Sequence, residues 1–122
     1  KPSNEEKEIY QIVLDAQKVA LNNAREGILA RDLDGLARDY ITNKGYGKYF
    51  IHSLGHGLGL RIHQAPKVSF LSNEVLKENM IITIEPGIYL PKKFGIRIED
   101  DTVIKKDGSI NLTKSTKEIV II

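Results

Sequence analysis

A chain of 122 residues suffices for one domain, and a domain of that size buries roughly two thirds of its unfolded surface. Hydrophobic residues make up 41% and charged residues 28%, and 18 basic against 16 acidic residues leave a net charge of +2 spread along the chain, which excludes the concentrated basic patch that nucleic-acid binding requires. The lack of cysteine excludes disulfides and thiolate metal ligation, and no run reaches the roughly 18 apolar residues of a membrane span. The polar start carries no signal-peptide core, so a cytoplasmic protein without membrane or nucleic-acid partners is expected. Opening on Lys1-Pro2 without methionine, the chain reads as part of something longer.

Ser3-Asn4-Glu5-Glu6 has the form of a capping box, with Ser3 capping the N–H near Glu6 and Glu6 reaching back. Behind it Ile9, Ile12, Val13, Ala16, Val19 and Ala20 recur at helical spacing, which predicts an amphipathic helix from about Asn4 to Glu26, ended by Gly27. A second helix is expected from Arg31-Asp32, capped by Asp32, with Leu33, Leu36, Ala37, Tyr40 and Ile41 as its buried stripe until Gly45.

From Tyr46 the pattern shifts to short apolar runs and period two. Leu58 to Ile62, Met80 to Ile84, Ile88 to Leu90, Gly95 to Ile104 and Glu118 to Ile122 read as strands, and Asp107-Gly108 marks a tight hairpin into Ile110–Leu112. Two helices followed by sequential strands predict an α+β fold, the helices packed on one face of a mostly antiparallel sheet. No repeat or linker divides residues 1–122.

All three histidines fall between His52 and His63, read as His-Ser-Leu-Gly-His-Gly-Leu-Gly-Leu-Arg-Ile-His and followed by Gln-Ala-Pro. Gly55, Gly57 and Gly59 are interleaved with them, and a missing Cβ serves mainly where backbone or ligand approaches closely. Glu85 precedes the Pro86-Gly87 break, while Arg97 and Glu99, two apart on one strand, share a face opposite Ile96 and Ile98. Singly, each has a plain structural explanation: a satisfied core histidine, a solvated turn residue, the polar face of an edge strand. Jointly, one imidazole and carboxylates on neighbouring strands can converge on a point, and charges there are costly to bury unless something pairs with them.

The run from His52 through His56 to His63, then Glu85-Pro-Gly-Ile-Tyr, then Arg97-Ile-Glu99-Asp-Asp, resembles the catalytic half of the pita-bread metallopeptidases, specifically the Xaa-Pro aminopeptidases and Xaa-Pro dipeptidases (prolidases). The motifs match in order and spacing, and the resemblance spans essentially all 122 residues. It implies the carboxy-terminal half of the creatinase/aminopeptidase-like fold, acting as part of a longer chain that hydrolyses Xaa-Pro bonds with two divalent metal ions. His56 would ligate one metal; Glu85 would ligate the same metal and accept a proton from the attacking water; Glu99 would bridge both metals. His63 would steady the scissile carbonyl, His52 would line the substrate pocket, and Arg97 would orient Glu99.

Oxygen-rich ligation with a single imidazole favours manganese, with cobalt or zinc as alternatives. The substrate implied is a peptide with proline at its second position, and relatives are usually homodimers. Such enzymes carry two further aspartate ligands ahead of the first helix here, and Asp100 and Asp101 do not replace them. This chain alone is therefore expected to bind metal poorly, to be inactive, and to dimerise or aggregate through the face a missing half would cover.

Two departures from the pattern are Gln64, where many relatives are acidic, and Asn79, where glycine is common and a left-handed backbone is expected. The competing readings are methionine aminopeptidase, which shares the ligand set but typically has methionine after Glu-Pro, and a non-catalytic binding module of the same fold.

Overall fold

The computed structural model describes residues 3–58, 67–112 and 116–121, the last stretch as backbone. His63, Gln64, Gly59 and most of the expected Leu58–Ile62 strand lie outside the described residues.

Helix α1 spans Asn4–Asn23. The Glu6 N–H donates to Ser3 Oγ at 3.1 Å, and the Ser3 hydroxyl also meets the Glu6 carboxylate at 3.3 Å, so the two side chains of the expected box meet each other. The helix stops three residues before the expected Glu26. The N–H groups that would extend it are taken elsewhere: Glu26 donates to the Lys105 carbonyl and Gly27 to that of Leu76, both at 2.9 Å, with Gly27 at φ +91°.

Helix α2 spans Ala30–Asn43, and Leu29, not Asp32, is its N-cap. No side chain caps it; the Ala30 N–H donates at 2.8 Å to Glu74 on a neighbouring loop. Its buried residues are Ala30, Leu33, Asp34, Ala37 and Ile41, while the expected Leu36 and Tyr40 are half-buried. Lys44 and the left-handed Gly45 (φ +94°) close it as the sequence predicts. A short 3-10 turn, Gly47–Tyr49, leads on to the histidine stretch.

Two short strands, β1 (Gly55–His56) and β2 (Lys67–Val68), pair antiparallel. The main sheet is built on β5, Phe94–Ile104, an 11-residue strand with partners along both edges. On one edge, β3 (Ile81–Ile84) and β4 (Gly87–Leu90) run antiparallel to it, and their pairs Ile84–Asp100 and Gly87–Arg97 lie in one register. The interrupted residues Glu85 and Pro86 thus fall opposite Glu99 and Ile98. On the other edge lie β6 (Ser109–Asn111) and β7 (Thr116–Ile121).

Alternation along β5 places Ile96, Ile98, Thr102 and Ile104 in the core under α1, with Arg97, Glu99 and Asp101 on the other, half-buried face. Ile9, Val13, Leu33, Ile82, Ile84 and Ile88 complete a fully buried core, each such side chain contributing about 1.5–3 kcal/mol. The architecture is the expected α+β layer. Asn79 adopts φ +73°, the left-handed backbone expected of it. Several large apolar side chains stand exposed, among them Ile51, Phe70, Leu71, Ile110 and Leu112. No described helix is long and apolar enough to cross a membrane.

Candidate metal centre

Gly55 is required by a close approach of backbone: a Cβ there would stand 1.8 Å from the Thr83 carbonyl oxygen. The neighbouring His56 N–H donates to Thr83 Oγ1 at 3.0 Å, Gly57 bridges to Ile82, and the Glu85 N–H donates to the Leu54 carbonyl at 2.7 Å. These contacts bind the histidine stretch along β3 and carry His56 to Glu85.

His56 Nε2 lies 3.6 Å from Glu85 Oε2. Its Nδ1 lies 3.2 Å from the Gly57 carbonyl oxygen, which can only accept, so Nδ1 carries the proton and Nε2 is the basic atom of the neutral ring. A lone pair then faces a carboxylate, an arrangement that a proton or a metal cation turns from repulsive to attractive.

Glu99 stands across the ladder from Glu85. Burial raises its carboxyl above the ordinary carboxylate range, and the Glu85 and Asp101 charges add to the rise, while Arg97 and His56 work against it. An imidazole nitrogen and two mutually repelling carboxylates are a donor set suited to a hard or borderline divalent cation. Among the described residues no three His, Asp or Glu groups close into a metal-holding cluster.

A cavity of about 320 Å³ opens beside these groups, lined by His52, His56, Glu85 and Arg97 with Ser53 and Lys67. Glu99 does not line it. His52 Nδ1 donates to the Ser53 carbonyl and its Nε2 meets the Tyr89 hydroxyl, both at 2.8 Å, so the ring is held at both nitrogens. The Tyr89 ring lies over Gly87 and Gly95, where any Cβ would meet it at under 3 Å.

Sequence reasoning singled out His52, His56, Glu85, Arg97 and Glu99 but missed what holds them. Asp34 is fully buried and takes the Arg38 guanidinium by both carboxylate oxygens, at 2.8 and 3.1 Å. It also accepts the Leu54 N–H at 3.0 Å. Arg38 donates to the Phe50 and His52 carbonyls at 2.9 Å and lies 4.1 Å over the Phe50 ring. A carboxylate on the buried stripe of α2, four residues before an arginine, was the available signal. Tyr89 and Lys67 left none beyond their closeness to the motifs.

Residues 1–106 match the model of metallopeptidase family M24. The chain is 55% identical over 119 residues to an Xaa-Pro dipeptidase of Pyrococcus horikoshii, covering 98% of this chain and 34% of that protein. It is similar in structure to a prolidase from Pyrococcus furiosus, with a TM-score of 0.90 and 53% identity over 95% of this chain and 34% of the other. An X-Pro aminopeptidase from Thermotoga maritima also gives a TM-score of 0.90, at 49% identity, over 100% of this chain and 35% of its own. The chain thus spans about a third of the length of the relatives it matches.

Proposed function

The chain belongs to metallopeptidase family M24, and from that premise we propose that a longer enzyme carrying this segment hydrolyses the Xaa-Pro bond of peptides with proline second. In this reading residues 1–122 are the carboxy-terminal part of the catalytic domain, and further ligands come from elsewhere in that enzyme. The observation that carries it is the basic Nε2 of His56 set 3.6 Å from the Glu85 carboxylate, with Glu99 electrostatically coupled to both. The likeness to proteins named Xaa-Pro dipeptidase and prolidase supports the choice of substrate.

His56, Glu85 and Glu99 would hold two divalent ions, of which manganese suits the donor set best. When bound, such ions polarise the scissile carbonyl and acidify water. Glu85, whose side chain is 16% exposed, takes the proton given up by the attacking water. The positive charge of Arg97 favours the ionised form of Glu99, the form able to ligate. His52, its ring held at both nitrogens by Ser53 and Tyr89, presents a rigid wall to the substrate. His63 is assigned the scissile carbonyl, and the enzyme acts in the cytoplasm as a homodimer.

Assays of the full-length chain test this. Turnover of Xaa-Pro dipeptides or of longer peptides with proline second is expected with manganese and lost on chelation. A folded full-length chain that binds no metal and turns over neither substrate would be a binding module instead. Preference for methionine-initiated peptides without proline would move it to the methionine aminopeptidases.

A further inference from the structure

Pro86 leaves a gap in the sheet at the point where the two carboxylates face each other. Opposite it, the Ile98 N–H donates to the Pro86 carbonyl at 3.3 Å, as in a hydrogen-bonded antiparallel pair. The reciprocal bond cannot form, because proline has no N–H, and the Ile98 carbonyl loses its ladder donor in the interior. Gln17 on α1 is 1% exposed and sends its amide into this gap. Its Nε2 lies 3.3 Å from the Ile98 oxygen and 3.4 Å from the Ile84 oxygen, so one buried amide spans both strands. Ile84 immediately precedes Glu85, and Ile98 immediately precedes Glu99.

We propose that Gln17 is a positioning residue: its side-chain amide replaces the donor that Pro86 lacks and fixes the spacing of Glu85 and Glu99 from the helix side of the sheet. The metal-binding role of those carboxylates is that of the preceding reading. Gln17 touches neither substrate nor metal and acts through two backbone carbonyls. The helix that covers the core is thereby part of the site's construction.

The test is a double-mutant cycle in the full-length chain, using Gln17→Met, Pro86→Ala and the pair, with manganese affinity read by calorimetry and metal-free stability by thermal melting. An alanine at 86 brings back the N–H for the Ile98 carbonyl, so the need for Gln17 should fall. Gln17→Met is expected to weaken manganese binding about 10- to 100-fold with Pro86 present, the usual loss when a residue supporting a ligand is removed. In the Pro86→Ala background the loss should shrink to less than about 3-fold, and the drop in melting temperature should shrink likewise.

Equal losses in both backgrounds, or none in either, would overturn the proposal. A purely structural glutamine would give the first of these results. If wild type takes up no manganese, the function reading is what fails, and the metal-free melts then decide on Gln17 separately: rescue by Pro86→Ala supports its role as the replacement donor, and no rescue overturns it. Should Gln17→Met not fold, Gln17→Asn serves, since its amide is one methylene too short to span both carbonyls and predicts the same pattern.

Discussion

Burial and the charge of Glu85 both push the Glu99 carboxyl toward its protonated form. A carboxyl held above its ordinary value of 4.5 stabilises the fold fully below that value, and the contribution is lost as pH rises through the higher folded-state value. At neutral pH an ionised Glu99 therefore costs the metal-free chain stability. Glu99→Gln is expected to raise the metal-free melting temperature at pH 7 by a few degrees, with the gain gone by about pH 4, while abolishing metal affinity. Melting curves at the two pH values check this; a variant less stable than wild type at pH 7 would contradict it. At this scale the sequence shows the groups that would do chemistry, because His56, Glu85, Arg97 and Glu99 sit in motifs. It hides their supports. Asp34 and Gln17 lie on apolar helix stripes, where a polar side chain reads as an interruption until its partners are known.

The two helices and the strands from β3 onward were legible in kind and order, the short β1 and β2 were not, and element ends were set by tertiary contacts. Helix α1 was expected to run to Glu26, yet Lys105 and Leu76 capture the N–H groups of Glu26 and Gly27 and turn the chain away after Asn23. Helix α2 begins at Ala30 because Glu74 accepts its first N–H, a partner 44 residues distant that no local cap signal reveals. The same helix grips the histidine stretch through Asp34 and Arg38, which bind the backbone of Phe50, His52 and Leu54. Asp34→Asn removes the charge that Arg38 requires and leaves the guanidinium facing carbonyls alone. It is expected to cost about 3 kcal/mol, read as a lower denaturant midpoint. An unchanged midpoint would show that the clamp holds nothing.

For the whole molecule, β5 is the axis on which both the core and the candidate centre are built. Its inward residues pack under α1, and on its outward face Glu99 stands across the ladder from Glu85, with Arg97 opposite Gly87. The α+β layering followed from the order of periodicities. The common register of β3 and β4 across Pro86 did not, because a proline normally marks the end of pairing and here interrupts one strand. The exposed Phe70, Leu71 and Leu112 and the 34% share of the P. horikoshii relative agree with a segment that works inside a larger protein.

The central claim is that His56, Glu85 and Glu99 hold metal together, and anomalous diffraction from manganese-soaked crystals of the full-length chain tests it most directly. The account predicts manganese peaks within bonding distance, about 2.0–2.4 Å, of His56 Nε2 and of the Glu85 and Glu99 carboxylates. Metal found only on other residues, or a folded protein with none at these three, would contradict it.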